Sequence, residues 1–180
     1  MTIRVIRIRR KVIAGVVGLV LLAAAVPIGI GNTPYADGHA VVLTRGRLEM
    51  VQSVRALATW VVEVRRELDV LETILGESAA SPDSGRLLAE GERGAEALRR
   101  LGAVAREVEG ARVPDAMSEL QRQAREALGS AIAAGQAVVE CVGAPRAEAV
   151  AEAWTRLREA RGALEELDGR VRVQRGMLWR

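Results

Sequence analysis

Phenylalanine is absent from this 180-residue chain, and lysine, histidine and cysteine occur once each, as Lys11, His39 and Cys141. Each scarcity excludes something. One cysteine permits no intramolecular disulfide, no CxxC pair and no CxxCH haem attachment; Cys141 reads as a small buried residue near the end of a helix, with an intermolecular disulfide as the alternative. One histidine cannot supply the two Glu-x-x-His pairs of a di-iron bundle, and no Ser/His/Asp or Cys/His set can be assembled around it. Four aromatic residues, Tyr35, Trp60, Trp154 and Trp179, suit close packing of Leu, Val and Ala better than a large aromatic-lined pocket. Met50 and Met117 fall at apolar positions, where methionine reads as packing and not as a haem ligand. Glycines scattered through helical stretches make no phosphate loop. No metal, cofactor or catalytic activity is expected.

Charge is also missing, over one long stretch. From Val12 to Ile30 no residue is ionisable, and the five residues Arg4, Arg7, Arg9, Arg10 and Lys11 stand before that run. A helix of this length spans roughly 28 Å, about the thickness of a bilayer's hydrocarbon core. Basic residues ahead of an apolar span hold the N-terminus in the cytoplasm, so Arg9, Arg10 and Lys11 set the topology. A cleavable signal peptide is the alternative, because Ala23-Ala24-Ala25 offers an A-x-A pattern. Against it, the run exceeds the 7–15 residues of a signal core and continues through Val26, Ile28 and Ile30. The expected location is the cytoplasmic membrane, single-pass, with the rest of the chain outside the cytoplasm; secretion after cleavage is the alternative. Without the five leading charges, 21 basic residues face 23 acidic ones. The basic balance of the whole chain therefore reports topology and gives no reason to expect nucleic-acid binding.

Beyond the apolar run the pattern is helical throughout. Residues 31–38, rich in Gly, Asn, Pro and Asp, read as a linker, with Asp37 as a cap for the next helix. Met50, Val54, Leu57, Val61, Val64, Leu68, Leu71 and Leu75 alternate by four and three, the a/d spacing of a coiled coil or bundle. This predicts a helix over about 39–75, ended by Gly76. Ser81-Pro82 opens a second over 82–109, with Leu87, Gly91, Ala95, Leu98, Leu101, Ala105 and Val108 as its seam. Pro114-Asp115 opens a third over 114–142, with Met117, Leu120, Ala124, Leu128, Ala131, Gly135, Val138 and Cys141 or Val142. Pro145 opens a fourth over 145–178, with Val150, Ala153, Leu157, Ala160, Leu164, Leu167, Val171 and Leu178. Short loops make neighbours antiparallel. The expected fold class is all-α: an N-terminal transmembrane helix, then an antiparallel up-down-up-down four-helix bundle over 39–180. The glycines of helices 2 and 3 make those two the softer half, and a ligand pocket, if there is one, is expected between them.

Glu63/Glu67, Arg65/Asp69 and Glu148/Glu152 read as solvated helix faces, each i,i+4 pair contributing a few tenths of a kcal/mol. Trp60 and Trp154 flank core positions and, counted from the membrane, are expected at similar height on helices 1 and 4. They form either a cover over that seam or a docking surface for a partner or ligand. Trp179, with Arg170, Arg172, Arg175 and Arg180 nearby, is expected at the membrane–water interface.

These features favour a scaffold that binds another protein, possibly a second copy of itself, at the membrane. The second reading is a sensory input domain. The plan resembles the ectodomains of bacterial chemoreceptors and sensor kinases in architecture, through no sequence motif. The chain ends at Arg180 with no second span, so a signal is expected to pass through a partner.

Overall fold

The computed structural model describes residues 35–36, 39–40, 44–80 and 84–178. The expected anchor at 12–30, its flank Arg9, Arg10 and Lys11, the cap Asp37, the Ser81-Pro82 start and Trp179 lie outside them. Among the described residues no helix is long and apolar enough to cross a membrane.

The chain divides into two units, residues 1–43 and 44–180. In the first, strands β1 (Tyr35–Ala36) and β2 (His39–Ala40) pair antiparallel, Tyr35 opposite Ala40 and Ala36 opposite His39. This corrects two expectations: the linker contains strand residues, and the first helix does not begin at residue 39. The residues between the strands are Asp37-Gly38, a pair favoured in two-residue hairpin loops.

The second unit is all-α, four helices packed against each other: α1 (Arg45–Ala80), α2 (Ser84–Gly110), α3 (Ser118–Gly143) and α4 (Ala147–Leu178). Helix α1 starts six residues later than its periodicity implies because Thr44 caps it. The Arg47 N–H donates to Thr44 Oγ1 at 3.4 Å, and the Leu48 N–H to the Thr44 carbonyl at 2.9 Å. It also runs past Gly76 to Ala80. The buried Ser78 hydroxyl donates to the buried Glu90 carboxylate of α2, and this tertiary tie outweighs a glycine's weak preference to stop a helix. Pro114-Asp115 opens a single 3-10 turn, Asp115–Met117, instead of α3 itself. The Met117 N–H donates to the Pro114 carbonyl at 2.8 Å and the Ser118 hydroxyl to the Asp115 carbonyl at 2.8 Å.

Most of the expected seams are the core. On α1, Val54, Leu57, Val61, Val64, Leu68, Leu71 and Leu75 are buried, joined by Val51 and Ile74; on α4, so are Ala153, Leu157, Ala160, Leu164, Leu167, Val171 and Leu178. Helix α2 differs. Its buried positions are Glu90, Gly94, Ala97, Leu101, Val104 and Val108, so the first half of the seam is one residue out of phase with the expected Gly91, Ala95 and Leu98. The true positions there hold a carboxylate, a glycine and an alanine, which give almost no hydrophobic signal.

Contacts between neighbours run in opposite directions along the helices. From α1 to α4, Arg47 reaches the Leu178 carbonyl, Arg65 reaches Asp168 and Asp69 meets Arg161. From α1 to α2, Trp60 meets Glu107, Glu67 meets Arg100 and Ser78 meets Glu90. Helix α1 also packs across the diagonal on α3, while α2 and α4 make no comparable contact. The small side chains of α3 permit this: Ala124, Ala127, Ala131, Ala134 and Gly135 are buried. A Cβ on Gly135 would lie only 3.4 Å from Leu71 Cδ1 of α1.

Candidate functional site

Trp60 and Trp154 are both half-buried against the core, but they are not a pair. Trp60 Nε1 donates to Glu107 Oε2 at 3.1 Å, so this ring lies over the α1–α2 seam. Glu67, one heptad further on, also faces α2, through Arg100 at 3.5 Å. Trp154 shares its stripe with Arg161 and Asp168, seven and fourteen residues on, and both of these face α1. The register of Arg161 against Asp69 puts Trp154 level with about residue 76 of α1, some 24 Å along the axis from Trp60. The expectation of similar height fails partly because helix α1 begins at Arg45 and not near residue 39, a shift of about 9 Å, and partly because the Arg161–Asp69 register sets Trp154 further along α1 than the helix ends alone imply.

Of the six residues expected on solvated helix faces, three make cross-helix contacts instead: Arg65, Asp69 and Glu67. Arg65 Nη2 lies 2.8 Å from Asp168 Oδ2 on α4, and Asp69 Oδ1 lies 2.7 Å from Arg161 Nη2. Arg161 also pairs with Glu72. The Asp168 carboxyl is held below its ordinary range, chiefly by the Arg65 hydrogen bond, with Arg172 adding to it. Glu67 is buried, not solvated. Glu63, Glu148 and Glu152 are exposed as expected. These contacts fasten α1 to both of its neighbours.

The seam between α3 and α4 carries no such cross-helix ion pair among the described residues and instead holds a groove of about 560 Å³. Met117, Leu120, Gly169 and Val173 form its apolar lining, and Gln123, Glu119 and Arg170 its polar edge. A Cβ on Gly169 would meet nothing within 4 Å. The edge charges are neutralised locally: Arg122 bonds Glu119 and Glu126, and Arg170 bonds Glu166 at 2.6 Å. Hydrogen bonds from Arg122 and then Gln123 lower the Glu119 carboxyl to about 2. Gln123 Nε2 donates to Glu119 Oε1 at 2.7 Å, while Gln123 Oε1 is buried without a partner. The groove can receive an apolar group.

Sequence reasoning missed this groove. Its only sequence trace is Gly162, Gly169 and Gly176 at seven-residue spacing on α4, with Val173 exposed beside them. The expected pocket between helices 2 and 3 is instead packed at its glycines. A Cβ on Gly94 would lie 3.1 Å from Val139 Cγ2, and one on Gly135 3.1 Å from Leu98 Cδ1. The interior space beside Trp60 amounts to only about 10 Å³. Cys141 is a free, buried thiol whose pKa burial raises. Among the described residues, no group of three or more His, Cys, Asp or Glu could hold a metal ion. The chain matches no family model, no curated protein and no solved structure.

Proposed function

We propose that this protein is a single-pass, membrane-anchored helical bundle of up-down-up-down order, held outside the cytoplasm, which binds another protein or a second copy of itself and catalyses no reaction. The observation that carries this reading is the uncharged run 12–30 behind five basic residues. The ion-paired faces of α1 add support, because they leave few titratable groups poised for chemistry. Trp60 and Trp154 then act as separate, half-buried rims and not as one docking patch.

The test is fractionation of the full chain, with protease protection of a C-terminal tag and the mass of the mature N-terminus. A retained leader and a tag cleaved only from outside are expected. A mature chain beginning near Ala25 replaces the anchored reading with secretion.

The α3–α4 groove favours a second reading, a sensory input domain that signals through a partner. Its volume lies in the range of small-molecule sites, and its lining is largely apolar with a polar edge of Gln123, Glu119 and Arg170. An apolar dye whose fluorescence rises on the native chain and not on Gly169→Leu would support it; equal signals would remove it.

A further inference from the structure

The charges of the bundle are sorted along its axis. Arg47 reaches the Leu178 carbonyl, and Gln121 Nε2 reaches the carbonyls of Val108 and Ala111. The start of α1 thus meets the end of α4, and the end of α2 meets the start of α3; the connection Ala111–Pro114 lies beside Glu49–Ala56 of α1, so all four lie toward the same end of the bundle. Around that end, residues 44–55, 106–122 and 170–178 contain nine arginines and five acidic residues. Around the opposite end, residues 70–80, 84–90 and 138–154 contain two arginines and six acidic residues. Arg55, Arg112 and Arg175 are exposed and make no ion pair among the described residues. Of the five exposed large hydrophobic side chains among the described residues, Leu48, Val173 and Met177 are at the basic end and are 43, 63 and 56% exposed, whereas Leu88 stands alone at the opposite end and Val62 lies between.

Arginines around exposed Leu, Val and Met are the composition of a surface that rests on lipid headgroups. The guanidinium groups meet phosphate while the aliphatic side chains enter the interface. Chain connectivity selects the same end. Fourteen residues separate Ile30 from Arg45, a tether of at most about 50 Å, and it joins the bundle at the arginine-rich end. We propose that this end seats on a phospholipid surface carrying anionic headgroups, with Arg112 and Arg175 as headgroup contacts and Leu48, Val173 and Met177 at the interface. The proposal deepens the membrane-anchored reading and rests on it.

The experiment places a nitroxide on the full chain at Met177→Cys or, in a separate sample, at Leu88→Cys, each with Cys141→Ala. Each is measured in phosphatidylcholine vesicles with and without phosphatidylglycerol. Collision with oxygen marks lipid contact, and collision with a water-soluble nickel chelate marks solvent. The label at 177 is expected to be oxygen-rich and nickel-poor only where phosphatidylglycerol is present, and the label at 88 aqueous in both. Arg112→Gln and Arg175→Gln should each lower the ratio of seated to lifted bundle about fivefold. Added salt should do the same with no substitution. An aqueous label at 177 in the anionic vesicles overturns the proposal, as does an equal signal in both lipids. Spin–spin broadening that persists in phosphatidylcholine alone would assign the surface to a second copy and overturn it too. Flotation after an alkaline wash reports separately on the anchor. A chain that fails to float yet contacts anionic vesicles removes the anchor and keeps the seat; a floating chain with an aqueous label does the reverse.

Discussion

Replacing Gly135 by alanine sets two effects of known sign against each other. Inside a helix, alanine is favoured over glycine by about 1 kcal/mol. At Gly135, however, the new Cβ would lie 3.1 Å from Leu98 Cδ1, 3.4 Å from Leu71 Cδ1 and 3.7 Å from Leu101 Cδ1. Leu71 and Leu101 are fully buried, so the neighbours have little room to withdraw. Adding a carbon to a packed core costs about 1–3 kcal/mol, and the net effect is a destabilisation of about 0–2 kcal/mol. Gly129 and Gly162 provide the controls, since a Cβ on either meets nothing within 4 Å. Alanine at these sites should stabilise by about 1 kcal/mol. The difference between Gly135→Ala and either control is therefore about 1–3 kcal/mol. In a domain of this size it corresponds to a Tm separation of roughly 3–10 °C. Urea unfolding and thermal melts followed by helical circular dichroism measure it directly. Shortening the crowding side chain with Leu98→Val should relieve the Gly135→Ala penalty, leaving the pair non-additive by at least about 0.5 kcal/mol. If Gly135→Ala instead stabilises as much as Gly162→Ala does, the close approach of α1, α2 and α3 at this point is refuted.

Two further outcomes concern contacts that hold the helices in register. Gln121→Ala leaves the Val108 and Ala111 carbonyls without their side-chain donor and should cost about 1–3 kcal/mol in urea unfolding; Gln121→Glu should cost at least as much, because a carboxylate cannot donate. The Glu119 and Asp168 carboxyls are both depressed in the folded chain, so the stability they contribute is present above their ordinary pKa values and lost as pH falls through the folded ones. Unfolding free energy should be level above about pH 5 and fall between pH 4.5 and about 2. Glu119→Gln and Asp168→Asn should flatten that fall, and a native profile that stays level to the acid end would count against the pairs.

The four helices are legible in the sequence because Leu and Val repeat at three and four along α1 and α4, and because Gly110 and Gly143 sit where helices stop. Three things are not legible, each for a physical reason. The seam of α2 reads one residue out of phase in its first half, because Glu90, Gly94 and Ala97 occupy it and only a partner explains a buried carboxylate: Ser78 and, at 2.9 Å, Arg86. Periodicity fixes which face of a helix is buried, but not how far one helix slides along another. The relative height of Trp60 and Trp154 depends in part on where α1 begins, and Thr44 decides that through a hydroxyl contact with the Arg47 N–H. Likewise, Arg65 and Asp69 look like partners four residues apart on one helix, yet each finds a closer partner on α4. The α3–α4 groove is hidden because a groove is a place where side chains are too short to meet, and short side chains leave little mark in a hydropathy pattern.

The contact between Arg47 and the Leu178 carbonyl also fixes how the bundle responds to mechanical load. It brings the entry point of α1 and the exit point of α4 side by side, so a force drawing residues 44 and 178 apart acts across the helix axes and not along them. The bundle is then opened as a zipper, meeting Arg47–Leu178 first, Arg65–Asp168 next and Asp69–Arg161 after that, one contact at a time. Grips on Thr44 and Gly143, at opposite ends, would instead shear many contacts at once. The molecule should yield at low force to a pull on its neighbouring ends and resist a pull along its length.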